Sequence, residues 1–374
     1  MPTTTPPTHP KPILAMGTGG TGGHIFPAIA LAEELQKHNI QTILLTTWGK
    51  KEQLWLQNTP VIIEKIQAPK WKKNWSFPIQ LFLAWKSSLK ILKKWKPFAF
   101  VGFGSYAAFP SSLAAYFLNI PLFQMEQNTI PGKVSRFFSS LSHATISPWK
   151  ESQKYFHQPI QVLGNPIRKQ AIAKNKKKAI QKLKLSTNKK TILVMGGSQG
   201  AKAINQGVRQ ALPYLQKQKD HIQWIHLCGP YEQEELKQAY QTHGFEYHLT
   251  PFCAEMGWLY GASDLFIGRS GGGSIAEASA AGLPMILIPY PYASNNHQWE
   301  NAIAAEEQGA AIVLKQENIS QLPQILNKLL FSPYLQAMKL NSVQMGNPKS
   351  AQKIVNFLLQ YADNTPKKQN SIAA

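Results

Sequence analysis

Aspartate is almost missing from this chain of 374 residues: Asp220, Asp264 and Asp363 are the only three, and no two lie close in sequence. A D-x-D pair, one common way of holding a divalent cation against a nucleotide diphosphate, is thereby excluded. Cysteine is nearly as scarce. Cys228 and Cys253 make no disulfide framework and lack metal-site spacing, so a reducing compartment is expected. Long apolar runs are also missing. The most apolar region, residues 98–123, is interrupted by Gly102, Gly104, Pro110 and Pro121, so no segment is expected to span a membrane. Residues 1–12 are rich in Thr and Pro without an apolar stretch, unlike a secretory signal. No glycine turn is followed by Gly-Lys-Ser/Thr, so a P-loop and ATP hydrolysis are not supported.

Acids in general are outnumbered, 19 against 40 Lys and Arg, leaving a formal charge of +21. Such a balance points to anionic partners: nucleic acid, acidic lipid or a phosphorylated substrate. Charge alone does not choose among them.

From Lys11 onward, short apolar runs alternate with helical patterns, as in a doubly wound parallel sheet. The expected strands are 12–16, 41–46, 61–66, 98–102, 121–125, 143–147 and 160–163. The alternation halts at Gly164-Asn165-Pro166, and a lysine-rich segment, 169–190, follows. The pattern then restarts at Thr191, with strands expected at 222–227, 245–249, 264–268, 284–288 and 310–314. Helices are expected at 201–217, 254–262, 274–281, 297–308, 319–330, 333–344 and 350–361. The chain therefore reads as α/β, with two Rossmann-like parallel-sheet domains, 11–166 and 167–345, facing one another across a cleft. Helix 350–361 is expected to return to the first domain, and 363–374 to be a disordered tail.

The turn Gly17-Thr18-Gly19-Gly20-Thr21-Gly22-Gly23-His24 joins the first strand to its helix. Glycines there let the backbone take positive φ and offer N–H groups to a phosphate or sugar. Gly17, Gly19 and Gly22 match the dinucleotide fingerprint, but Ile43–Trp48 lacks the acid such a fold places on the ribose. His24 lies at a helix N-terminus, where the dipole disfavours imidazolium, so it is a candidate base for a transfer to a hydroxyl. The alternative is a histidine that only packs or caps the turn. Glu126 is the reserve base.

In the second half, Gly268–Glu277 runs from a strand into a helix. Free N–H groups of Gly272, Gly273, Ser274, Ile275 and Ala276 would suit a diphosphate, and Glu277 would suit the two hydroxyls of a ribose. Ser274-x-x-Glu277 is equally a capping box that needs no ligand. Residues 69–96 hold four tryptophans, many lysines and no acid. Leu81, Phe82, Trp85, Leu89 and Leu92 read as a core face of a helix. Trp71, Trp75 and Phe77, beside Lys70, Lys72 and Lys73, read as a membrane-docking cluster, with stacking on single-stranded nucleic acid as the rival.

The motifs together resemble those of the MurG family of peptidoglycan glycosyltransferases. GTGGTGGH (17–24), EQN (126–128), GNPIR (164–168), GGSQGA (196–201), RSGGGSIAEASAAGLP (269–284) and HQ (297–298) followed by Asn301-Ala302 carry the likeness, over residues 11–360. The resemblance implies a GT-B fold and an inverting, metal-independent transfer of N-acetylglucosamine from UDP-N-acetylglucosamine to lipid I, without a cofactor. It implies that Thr21, Gly22, Gly23, Asn128, Gln298 and His297 meet the donor sugar side, and that Arg168 and Ser198, beside Gln199, approach the diphosphate. The Cys253 backbone would read the uracil and Glu277 would hold the ribose. Partners would be the donor, lipid I and anionic lipids on the cytoplasmic face of the plasma membrane, with no nucleic acid. Met125 departs from the family's usual histidine, and Asn295-Asn296 from an acidic residue. A UDP-sugar transferase acting on diacylglycerol, a sugar-nucleotide epimerase and a basic nucleic-acid-binding protein are the rivals.

Overall fold

Two parallel sheets organise the computed structural model, which describes residues 11–364 apart from 48, 50–52, 54, 58, 69–75, 198, 199, 231 and the side chains of 363 and 364. The first has seven strands: β1 (Ile13–Thr18), β2 (Gln41–Thr46), β3 (Val61–Lys65), β4 (Ala99–Gly102), β5 (Leu122–Met125), β6 (Ala144–Ser147) and β7 (Ile160–Val162). Their spatial order is β3-β2-β1-β4-β5-β6-β7. The second has six: β8 (Lys190–Met195), β9 (Ile222–Leu227), β10 (Tyr247–Thr250), β11 (Leu265–Gly268), β12 (Met285–Leu287) and β13 (Ala311–Val313), ordered β10-β9-β8-β11-β12-β13. All pairings are parallel. Helices cover both faces, so strands such as Leu14-Ala15-Met16 are buried on both sides and read as unbroken apolar runs.

The crossover helices of the first sheet are α1 (Gly22–Lys37), α2 (Phe77–Trp95), α3 (Phe109–Phe117) and α4 (Lys133–Ser139). The second sheet carries α5 (Lys176–Leu183), α6 (Lys202–Ala211), α7 (Gln233–Thr242), α8 (Met256–Ala262), α9 (Gly272–Ala280), α10 (His297–Glu307), α11 (Leu322–Leu329) and α12 (Pro333–Met345). A last helix, α13 (Ser350–Asn364), places Ile354, Val355 and Leu358 in the core of the first sheet with Leu14, Ile25 and Phe123. The chain therefore crosses between the two halves twice, near 163–168 and near 346–350. The crossings are bonded to each other: Asn347 Nδ2 donates to the Leu163 carbonyl (2.9 Å) and Ser350 Oγ to the Asn165 carbonyl (2.6 Å).

Strand order reverses between β1 and β4, and again between β8 and β11. In an open α/β sheet the ligand crevice lies outside the carboxyl ends at that reversal. The turn 17–23 follows β1, and the turn 268–272 follows β11. Strand β1 runs two residues past its expected end because Gly17 and Thr18 still pair with Leu45 and Thr46. The expected helix 201–217 breaks at Ala211 into a 3₁₀ turn, since Pro213 has no N–H with which to continue the ladder. Residues 365–374 of the expected tail lie outside the described residues.

Candidate active site

After β1 the backbone turns through Gly19 (φ 154°) and Gly20 (φ 85°), conformations that a side chain resists, and enters α1 at Gly22. Thr21, at the N-cap, is extended and exposed and makes no capping bond, while Gly23 is exposed beside it. One residue further, His24 shares a 3.0 Å hydrogen bond between its Nδ1 and Gln127 Oε1. Burial lowers the His24 pKa; the Glu126 carboxylate, Gln127 and the Phe103 backbone oppose that shift, and His297 adds to it.

The partner loop, 126–132, is organised by Glu126. This buried carboxylate accepts from the N–H groups of Gln127 (3.0 Å), Asn128 (2.9 Å) and Gly132 (3.0 Å) and from Asn128 Nδ2 (3.1 Å). Oε1 takes three of these bonds and Oε2 one, so the carboxylate expected as reserve base also anchors the loop. Met125 contributes its carbonyl rather than its side chain, which lies in the first core.

Across the cleft, α9 begins at Gly272, two residues before the expected start, with Gly271 at the N-cap and no side-chain cap. The capping box is therefore not built, and the first N–H groups of the helix are without a side-chain acceptor among the described residues. Gly272 has no room for a side chain, because a Cβ there would lie 2.2 Å from the Gln127 carbonyl oxygen. A Cβ on Gly271 or Gly273 would meet no atom of the described residues within 4 Å, so these positions face open space among them, beside the half-buried Ser274. Ile275 is removed from the set of ligand contacts: its N–H bonds the Gly271 carbonyl (3.1 Å) and its side chain lies in the second core. Ala276, in the helix interior, packs against that core.

Glu277 accepts from Tyr260 Oη (2.9 Å) and lies 3.8 Å from Arg168. Burial raises its pKa, against the pull of Arg168 and Tyr260. The Arg168 guanidinium stacks 3.8 Å from the centre of the Phe26 ring on α1, and its Nε is buried without a partner among the described residues. Arg168 thus links α1 to α9 rather than standing as a loose surface charge. Cys253 is half-buried in the loop after β10, where burial raises its thiol pKa.

Helix α10 brings the other two expected residues. His297 opens it, with Nδ1 2.6 Å from the Ser294 carbonyl, and Gln298 Oε1 accepts from the Tyr290 N–H (3.0 Å). Asn295 and Asn296 precede it at φ 52° and 55°, a left-handed geometry that asparagine adopts more readily than a longer side chain. Sequence reading gave no role to Asn301, which is fully buried one turn on. Its Oδ1 accepts from Thr129 N–H (2.8 Å) and Thr129 Oγ1 (2.6 Å), and its Nδ2 donates to Asn128 Oδ1 (3.0 Å) and the Ser270 carbonyl (3.1 Å). Its spacing of four from His297 on one helix face was the available signal. Among the described residues no three His, Cys, Asp or Glu side chains come together as metal ligands.

Ser198, Gln199, Lys70, Trp71, Lys72, Lys73 and Trp75 lie outside the described residues. Phe77 opens α2, half-buried. Phe82, expected in the core, is 56% exposed, as are Ile79 (53%) and Leu83 (57%) on the same helix. Trp85 makes an edge contact with the exposed Phe117 of α3, extending the apolar surface across two helices.

Residues 14–147 match the family model described as the glycosyltransferase family 28 N-terminal domain, and 191–354 match that of its C-terminal domain. A protein of Halothermothrix orenii named UDP-N-acetylglucosamine--N-acetylmuramyl-(pentapeptide) pyrophosphoryl-undecaprenol N-acetylglucosamine transferase is 33% identical over 360 residues, covering 91% of this chain and 96% of that protein. A Thermodesulfovibrio yellowstonii protein of the same name is 35% identical over 360 residues, with 90% and 95% covered. The crystal structure of Acinetobacter baumannii MurG superposes with a TM-score of 0.76 at 27% identity, covering 94% of this chain and all of that one.

Proposed function

The chain belongs to glycosyltransferase family 28 and, within it, to the MurG transferases, and on that premise we propose that its cleft moves N-acetylglucosamine from UDP-N-acetylglucosamine to lipid I, giving lipid II and UDP. The half built on β1–β7 (11–166) faces the acceptor and the membrane, and the half built on β8–β13 (167–345) holds the donor. The observation that carries this reading is the contact across the cleft. The loop bearing the partner of His24 rests on the uncapped start of α9 through Gln127 and Gly272, so a proton acceptor and an anion-binding helix end share one site.

In the proposed step the acceptor hydroxyl oxygen forms a bond to the anomeric carbon on the face opposite UDP. The bond from that carbon to the diphosphate oxygen breaks, UDP leaves with the electron pair, and the hydroxyl proton passes to His24. The α9 N–H groups and Arg168 absorb the charge developing on UDP, which is the role a metal plays elsewhere. Glu277 receives the ribose hydroxyls, Cys253 presents its backbone to the base, and Asn128, Gln298 and His297 line the sugar side. Burial that keeps His24 neutral leaves it able to accept a proton, and Glu126 stabilises the imidazolium that forms.

Lipid I keeps its tail in the bilayer, so the enzyme must dock. No helix among the described residues is long and apolar enough to cross a membrane. The exposed Ile79, Phe82 and Leu83, with Phe117 beside them and the exposed lysines Lys86 and Lys90 on the same helix, fit an interface with anionic lipid at the cytoplasmic face. The deciding assay is donor turnover with lipid I and with diacylglycerol, in the presence of EDTA. Turnover with lipid I alone is expected; turnover only with diacylglycerol, or none until a metal is restored, overturns the proposal.

A further inference from the structure

Gln127 is buried and held at every polar position. Its backbone N–H donates to Glu126 Oε1 (3.0 Å), its carbonyl accepts from Trp149 Nε1 (3.2 Å), and its Nε2 donates to the Met125 carbonyl (3.3 Å). The last bond fixes which way the amide points. Turned over, the amide would set its oxygen against the Met125 carbonyl, two acceptors face to face. Oε1 is thereby the atom left 3.0 Å from His24 Nδ1. An amide oxygen only accepts, so the hydrogen of that bond resides on Nδ1; a neutral imidazole has one N–H, and Nε2 keeps the lone pair.

We propose that Gln127 is a positioning residue that holds His24 in the Nδ1–H tautomer and so presents Nε2 as the nitrogen that takes the acceptor's proton. The inference rests on the reading of His24 as the base. In the step, the proton leaves the attacking hydroxyl for Nε2, and Nδ1–H remains on Gln127 throughout. The groups facing the ring are Glu126 from the loop after β5, His297 from α10 and the Phe103 backbone after β4, whose carbonyl competes with Gln127 for the ring hydrogen; Glu126 and Phe103 favour the protonated ring and His297 disfavours it. The Met125 departure from the family pattern leaves this device intact, because the device uses the carbonyl.

Two measurements test it. In full-length protein carrying ¹⁵N-histidine, long-range ¹H–¹⁵N spectra at neutral pH are expected to show Nδ1 as the protonated, pyrrole-type nitrogen of His24 and Nε2 as the bare one. A His24 ring protonated at Nε2 overturns the proposal without any variant. Gln127→Met, which keeps bulk but loses the acceptor, is expected to mix the two tautomers and lower kcat about tenfold to a hundredfold at unchanged donor KM. In Gln127→Glu one carboxyl oxygen takes the place of Nε2 against the Met125 carbonyl, so the buried carboxyl is expected to be protonated there, to accept from Nδ1–H through its other oxygen, to restore the tautomer and to recover much of the rate. A wild-type rate and pH profile in Gln127→Met also overturns the positioning role. Should the tautomer be as expected while His24→Ala turns over normally, the base reading falls and the tautomer assignment stands, so the two failures are distinguishable.

Discussion

Replacing Asn301 with alanine removes four hydrogen bonds, three of which join α10 to the loop 126–132 of the other half and one of which stays within its own half, at Ser270. A buried hydrogen bond contributes about 0.5–1.5 kcal/mol net, and a partner left unpaired costs about 1–3 kcal/mol. The space vacated by an amide admits water, which limits the penalty, so a loss of about 2–4 kcal/mol is expected, most of it from the contact between halves. At about 1.4 kcal/mol per factor of ten, apposition of the halves weakens by roughly thirtyfold or more. The proposed function puts uridine on the second half alone, so calorimetric UDP affinity should stay within about twofold of wild type, while kcat/KM for UDP-N-acetylglucosamine falls by at least about tenfold. Asn301→Asp keeps the acceptor for Thr129 but sets a buried carboxylate oxygen against the Asn128 and Ser270 oxygens, and should lose at least as much as Asn301→Ala. Equal losses in UDP affinity and kcat/KM, or no loss in either, would refute the reasoning.

Glu277→Ala should weaken UDP binding about tenfold to a hundredfold, for the loss of a carboxylate accepting charge-assisted bonds; unchanged affinity with only a lowered Tm would reduce Glu277 to a partner of Tyr260 and Arg168. Phe82→Ser with Leu83→Ser should leave Tm unchanged, because both side chains are exposed, and cut sedimentation with anionic vesicles at least about tenfold; wild-type vesicle binding would remove this face from docking. Stability should also depend on pH through His226, whose pKa burial pushes down to about 3. The unfolded chain takes up that proton below about pH 6.5 and the folded one does not, so stability is complete above pH 6.5 and declines toward pH 3, by on the order of 5 kcal/mol. Urea titrations should show this slope, and His226→Gln should flatten it; an unchanged slope would mean that other groups carry the acid sensitivity.

The strands were legible because each is a short apolar run closed by Gly, Pro or Asn, and a sheet buried on both faces leaves little else to read. The start of α9 was misplaced because a serine three residues before a glutamate imitates a cap, whereas the actual cap is Gly271, which offers no side chain. Periodicity found the apolar face of α2 but does not say what covers it, and so assigned Phe82 to the core. Glu126 stood out as a carboxylate in a motif, yet its partners are backbone N–H groups that no sequence pattern marks. The roles of Gln127 and Asn301 were out of reach for a related reason: their partners lie 103 and 172 residues away, the first on a helix of the same half and the second across the cleft.

The paired crossings have a mechanical consequence. Two covalent links that lie side by side, tied by Asn347 to Leu163 and by Ser350 to Asn165, act as one hinge line. Sliding or twisting of one half on the other strains both links and those two bonds together, whereas bending about the line strains neither. A bend about that line parts Gly272 from the Gln127 carbonyl and Asn301 from Thr129 together, so the two contacts between the halves are made or lost as one.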